Sequence, residues 1–260
     1  MSPHGLRRYT ACALAAAALA APALAACQAQ SGAKTAALVE LYTSEGCSSC
    51  PPAERQFNSL RGAVGAAAEL VPLALHVDYW DYIGWKDPYA KRAFADRQGW
   101  LVRANQRKTV YTPQFFVGGA EPLSRLDELR ARVERINAQP ALASIRVQAK
   151  PNAGGALALS AEASVAPSTP DAALYLALSE SGLVSKVTRG ENSGATLVHD
   201  HVVRAWIGPI RLAGGSIRLR RDIELAPDWQ RAHLDLSLFV QDQRSGRVLQ
   251  ALSAPHCADS

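Results

Sequence analysis

Two cysteines three residues apart, Cys47 and Cys50, are the side chains best suited to do chemistry in a chain of 260 residues with five thiols. If the pair straddles the first turn of a helix, unpaired backbone N–H groups and the positive end of the helix dipole favour thiolate at the first cysteine. Cys47 is then expected to be exposed and to attack. Cys50, one turn inward, would resolve the mixed disulfide formed when Cys47 captures a substrate sulfur. A structural disulfide, half of a zinc site, or two unrelated thiols are the competing uses of the pair. Zinc needs two more ligands, and His76, His199, His201, His256 and Cys257 are available without forming a second close pair. Neither a metal nor an organic cofactor is expected.

The elements that must position this pair are legible on either side of it. Ala37 to Tyr42 is a short apolar run, and Pro51-Pro52 occupies a first helical turn, where a missing N–H does no harm. Phe57, Leu60, Val64 and Ala67 make the stripe of an amphipathic helix, and Leu70 to Val77 reads as a second, parallel strand that completes a β-α-β unit. The aromatic segment Asp78 to Lys108 is expected to hold one or two helices starting near Asp87-Pro88, with Asp87 as a cap. Val110 to Gly119 reads as a strand opened by Thr112-Pro113. Ser124-Arg125-Leu126-Asp127 reads as a capping-box start to a helix striped by Leu126, Leu129, Val133 and Ile136. Beyond Pro140 the period becomes alternating, as in Leu174/Leu176/Leu178 and Leu234/Leu236/Leu238, with turn clusters between the runs. That half predicts an antiparallel sandwich of about seven strands.

Composition sets the frame. At about 150 residues per domain, the length allows one large or two modest domains, and 48% hydrophobic content supplies real cores. Lys+Arg 28 against Asp+Glu 23 gives +5, spread without a basic stripe, which argues against nucleic acid as the partner. Arg7 and Arg8 precede the Ala/Leu stretch Ala11 to Ala26, the pattern of a secretory signal peptide over residues 1–26. Ala23-Leu24-Ala25 reads as a cleavage site, whereas Leu24-Ala25-Ala26-Cys27 resembles a lipobox that would lipidate Cys27 and attach the protein to a membrane. The twin arginine would alternatively export a folded precursor. Every route leads out of the cytoplasm, to a periplasmic or envelope-attached protein, where disulfides persist.

Cys47-Ser48-Ser49-Cys50 behind an apolar strand, with Thr112-Pro113 opening a later one, resembles the thioredoxin superfamily. More closely, Val39 to Pro52, His76 to Asp81, Gly84 to Pro88, Tyr111 to Gln114, Gly190 to Gly194 and His199 to Arg204 are similar to a family of secreted bacterial thioredoxin-like proteins of unknown function. The resemblance implies a thioredoxin-like α/β domain over 34–140, and the alternating half is then an all-β sandwich over 141–254 with a tail over 255–260. It implies that Cys47 is the nucleophile, Cys50 the resolving thiol and Pro113 a cis-proline whose neighbour Thr112 offers backbone groups to an extended substrate. It also implies protein thiols or disulfides of the cell envelope as partners. Thioredoxin has a tryptophan before its first cysteine and Gly-Pro between the two, whereas here Gly46 precedes, Ser48-Ser49 intervene and Glu45 puts a carboxylate nearby.

Further residues qualify as support. Glu40 interrupts an apolar strand and is either a buried acid that takes the Cys50 proton or an outward edge charge. His76, Asp78, Trp80, Trp85 and Lys86 would build a groove near the disulfide or cover the sheet. His199 and His201 would face one way on a strand, as a metal clasp or as a hydrogen-bonded pair. Cys257 is a spare thiol or the partner of Cys27. Two alternatives to exchange stay open: a non-catalytic secreted binding protein braced by its disulfide, and a metal-handling protein, the latter weakened by a single methionine at position 1.

Overall fold

The computed structural model describes residues 27–255 apart from 123, 167, 168 and 170. The proposed signal segment, residues 1–26, and Cys257 lie outside the described residues. In chain order the elements are β1 (Cys27–Gln30), β2 (Ala37–Thr43), α1 (Cys50–Val64), β3 (Leu70–His76), a 3-10 turn (Asp78–Ile83), α2 (Arg92–Ala104), β4 (Gln114–Val117) and α3 (Leu126–Asn137). The β-rich half follows with β5 (Ala143–Pro151), β6 (Leu157–Val165), β7 (Ala172–Glu180), β8 (Leu183–Lys186), β9 (Thr196–His199), β10 (Val202–Arg211), β11 (Ser216–Ile223), β12 (Leu234–Asp242) and β13 (Val248–Pro255). The architecture is mixed α/β and dominated by two large sheets. No helix among the described residues is long and apolar enough to cross a membrane.

β2 and β3 run parallel in register from Ala37↔Leu70 to Thr43↔His76, with β4 antiparallel on the other side of β2. β2 is buried along its whole length because both faces of the sheet are covered, so it reads as an apolar run rather than an alternation. Val39 and Leu41 meet Phe57 and Leu60 of α1 and Leu129 and Val133 of α3. Leu38 and Tyr42, of opposite parity, meet Phe94 and Leu101 of α2 on the other face. α3 begins at Leu126 with Arg125 at its cap and no side-chain capping bond, so the expected capping box does not form. The expected strand over Val110 to Gly119 shrinks to Gln114–Val117.

The boundary expected near residue 140 does not separate the sheets. β10 pairs in parallel with β3 at Val202↔Ala74 and antiparallel with β7, giving one seven-stranded sheet ordered β13-β12-β7-β10-β3-β2-β4. The reason is β3 itself, whose second edge would otherwise present unpaired backbone groups. The other sheet, β1-β5-β6-β11, lies over the far half of the long one, and Ile145, Val147, Leu157 and Leu159 pack against Leu174, Leu176, Leu178, Leu236 and Leu238. β5 alternates buried and exposed, as one solvated face requires, whereas β7 is buried throughout because α2 covers its second face.

The halves also touch at a glycine pair. Gly119 has φ +85°, and a Cβ there would lie 1.7 Å from the Gly246 carbonyl oxygen in the β12–β13 turn. Gly119→Ala is therefore expected to destabilise the fold by about 3 kcal/mol or more, from overpacking plus left-handed strain. Urea unfolding with an unchanged m-value checks it, and a loss under about 0.5 kcal/mol would show the contact to be slack.

Candidate functional site

At the end of β2 the chain turns twice before α1: the Cys47 amide donates to the Ser44 carbonyl (3.2 Å) and the Cys50 amide to the Cys47 carbonyl (3.1 Å). These turns bring the Cα atoms of Cys47 and Cys50 to 5.4 Å, and the two sulfurs are bonded. Cys50 is the first helical residue, and Pro51 and Pro52 follow it within the first turn. Cys47 thus sits at the positive end of α1, as the spacing predicts.

Its exposure is not as expected. Cys47 is 1% exposed and Cys50 0%; only Ser48 and Ser49 between them face solvent. The cover comes from the far half of the chain, from the turn over residues 187–195 that joins β8 to β9. Asn192 Nδ2 donates to the carbonyls of Glu45 (2.8 Å) and Cys47 (3.0 Å), and the exposed Glu191 carboxylate accepts the Ser48 amide (2.9 Å). That amide holds the Glu191 carboxyl below its ordinary range. Gly190 lies against Ile83 and Trp85, and Gly46 against Trp80, where a Cβ would come within 3.0 Å of Trp80 Cβ. A helix terminus alone leaves a first cysteine open; here a second segment closes over it.

The Thr112–Pro113 peptide bond is cis. Trp80, half-buried, spans from Gly46 to Thr112, whose Oγ1 accepts its indole N–H at 2.6 Å. Cys47, Trp80, Thr112 and Pro113 therefore share one end of the sheet.

Glu40 is placed differently from its proposed role. It is 0% exposed, but its parity puts it with Tyr42 on the α2 face, across the sheet from α1 and Cys50. Its oxygens accept Arg97 Nε (2.6 Å), Arg97 guanidinium (3.1 Å) and the Tyr42 hydroxyl (3.1 Å). It is a buried ion-pair partner, with the sheet between it and the disulfide. The acid on the correct face is Glu54, one turn beyond Cys50 on α1 and buried with Cys50, Phe57 and Leu60. A signal existed: stepping back from Phe57 by three and seven residues extends the apolar stripe to Glu54 and Cys50, so a carboxylate stands in a buried face.

Glu54 anchors a network that joins the two halves of the chain. Thr43 Oγ1 donates to one oxygen (2.5 Å) and His199 Nδ1 meets the other (2.6 Å). His199 Nε2 lies 3.1 Å from Glu45 Oε1, and Glu45 Oε2 accepts the Trp85 indole N–H (2.7 Å). Burial pulls the His199 pKa down, but its bonds to Glu45 and Glu54 outweigh that and push it up to about 10. Burial likewise raises Glu54, yet His199 brings it below its ordinary value. The ring of His76, at the end of β3, meets that of His199 edge to face at 5.1 Å. His76 Nδ1 is 2.8 Å from Asp87 Oδ2, and its Nε2 has no partner. Asp87 does not cap a helix: α2 starts at Arg92, and Asp87 instead accepts the amides of Glu45 and Tyr89 beside His76. Burial raises its carboxyl, but His76 and those amides bring it below the ordinary range.

Asp78 opens the 3-10 turn with one buried oxygen unpartnered. His199 and His201 do not form a clasp, because His201 adopts φ +58° where β9 turns into β10 and its ring packs on Phe57. Glu54, His76 and His199 each offer a ligand atom within 4.8 Å of the others. Cys27, at the start of β1, is disulfide-bonded.

A family model described as a protein of unknown function, DUF1223, matches residues 38–241. The chain belongs to that family. The match takes in both cysteines, the cis-proline strand and the Asn192 turn, so the DUF1223 region covers the whole site described above. Among curated proteins, none matches. Two solved structures resemble this DUF1223 protein in fold. One is a protein of Agrobacterium tumefaciens, 23% identical, with a TM-score of 0.60 over 86% of this chain and 95% of that one. The other is HBP35 of Porphyromonas gingivalis, 14% identical, with a TM-score of 0.65 over 86% of this chain and 76% of that one.

Proposed function

We propose that this DUF1223 protein exchanges disulfides with protein thiols through Cys47 and Cys50, from a state in which the 187–195 turn has moved off Cys47. The observation that carries this reading is a cysteine pair joined across the turn that leads into α1, with the acidic network of Glu54 and Glu45 beside it. The β2-α1-β3 unit and the cis Thr112–Pro113 bond before β4 support a thioredoxin-like reading of the first half. In the reduced form, Cys47 thiolate attacks a substrate disulfide, one substrate sulfur leaves as thiolate and is protonated, and a mixed disulfide forms. Cys50 then gives up its proton and attacks Cys47 Sγ, releasing the second substrate thiol and leaving Cys47–Cys50 oxidised. Two electrons pass to the substrate; a dithiol substrate runs the sequence in reverse. Glu54, on the Cys50 face of α1, is the acceptor we assign to the Cys50 proton, in place of Glu40. The signal pattern over residues 1–26 supports the bacterial envelope as the compartment.

A second reading, a disulfide that only braces the fold in a secreted binding protein, is favoured by the 1% exposure of Cys47. One comparison separates them. Cys50→Ala leaves Cys47 unresolved, so exchange predicts mixed disulfides between Cys47 and envelope proteins, dissolved by reductant and absent in Cys47→Ser. The same variant carrying Asn192→Ala uncovers Cys47 more often. No adduct from either variant, with a wild-type reduction potential more negative than about −300 mV, would establish the brace.

A further inference from the structure

We infer that Glu54, His76 and His199 form a binding site for one first-row divalent transition-metal ion, with zinc as the best match. The site shares Glu54 with the exchange reading, but ion binding does not need Cys47 or Cys50. His76 is fully buried, and its Nε2 is one of four buried side-chain polar atoms without a partner among the described residues. Its Nδ1 faces the Asp87 carboxylate at 2.8 Å. A carboxylate at that distance accepts a proton from Nδ1 and leaves Nε2 as the nitrogen free to ligate, the arrangement that metal-binding histidines adopt when a carboxylate holds their other nitrogen.

His199 approaches from the opposite side, with a carboxylate at each nitrogen. Its Nε2 faces Glu45 at 3.1 Å, which leaves Nδ1 as the nitrogen on the Glu54 side, 2.6 Å from Glu54 Oε2. Two imidazoles, each held at one nitrogen by its own buried carboxylate, thus bring ligand atoms within 4.8 Å of each other and of Glu54. Thr43 fixes the other Glu54 oxygen at 2.5 Å. An ion pair between Glu54 and His199 accounts for those two residues, but it leaves His76 Nε2 without a partner. A cation among the three residues engages all of them.

Two nitrogens and one oxygen suit zinc and its first-row neighbours and not magnesium or calcium, which take oxygen ligands. As the ion enters, the proton shared by His199 and Glu54 leaves to solvent, so the doubly charged cation replaces a single positive charge between carboxylates.

The test titrates full-length protein, stripped with chelator, first with cobalt(II) alone and then with zinc(II) as competitor. The expected result is one cobalt per chain with ligand-field bands in the visible, no sulfur-to-cobalt charge transfer, and displacement by one zinc. A variant with both Cys47 and Cys50 replaced by serine binds unchanged. His76→Gln and Glu54→Gln abolish the bands, and Asp87→Asn weakens binding by about 10- to 100-fold. X-ray absorption of the wild-type zinc complex needs no variant and should show a nitrogen/oxygen shell with imidazole scattering. Absence of stoichiometric binding, a sulfur shell, or undiminished binding by folded His76→Gln overturns the assignment.

Discussion

Arg97→Met should lower the stability of this protein by about 3–5 kcal/mol, the cost of leaving a buried carboxylate without its counter-charge. Glu40 lies between two covered faces of the sheet with 0% exposure, and Arg97 reaches it with Nε at 2.6 Å and a second bond at 3.1 Å. The guanidinium lies against a cluster of rings, with the Tyr175 and Trp206 centroids at 4.8 Å and Phe239 at 5.0 Å, and it also donates to Gln241. Burial works against the charge on Arg97, but Glu40 and the tyrosines hold its pKa above the ordinary value. Because the pair is sealed from solvent, little of this interaction is lost to screening. Removing both charges together, as Glu40→Leu with Arg97→Met, should cost less than Arg97→Met alone, since no orphan charge remains. Urea midpoints for the two singles and the double measure the coupling. A loss under 1 kcal/mol for Arg97→Met would mean that water reaches Glu40 readily.

The second large effect concerns access to sulfur. Asn192→Ala should speed reduction of the Cys47–Cys50 disulfide by a small dithiol roughly five- to a hundredfold. The side chain makes two bonds across the mouth of the site, to the Glu45 and Cys47 carbonyls. At about 0.5–1.5 kcal/mol each, their loss raises the population with the turn displaced by that factor. Glu191→Ala removes one bond from an exposed carboxylate and should change the rate less. Quenched alkylation followed by mass measurement gives the rates. Equal rates for wild type and Asn192→Ala would show that the turn does not control entry.

Local order in the chain was sufficient for part of this protein. Apolar runs at Ala37–Thr43 and Leu70–His76 around a striped helix, Pro51-Pro52 at its start and the C-x-x-C before it are short-range patterns, and each maps onto the element it predicts. The alternation beyond residue 140 likewise marks β5 and β6, where one face is wet. Period alone was less informative where both faces are covered: Glu40 sits on the face away from Cys50 because strand parity decides its side, and Arg97 of α2 decides its partner. Glu54 was legible as a charge in an apolar stripe, but its meeting with His199 was not, since 145 residues separate them.

The amino-acid sequence by itself determined that a cysteine pair would stand at the head of a helix between parallel strands, because backbone propensity and hydrophobic period act over a few residues. Tertiary structure alone decided that Cys47 is covered, that His76 and His199 bring ligand atoms within 4.8 Å of Glu54, and that one sheet runs through both halves. All three follow from β10 pairing with the open edge of β3, which carries β9 and its turn onto the end of α1. That pairing is a long-range match of backbone hydrogen bonds, and such bonds leave no periodic trace in side-chain order.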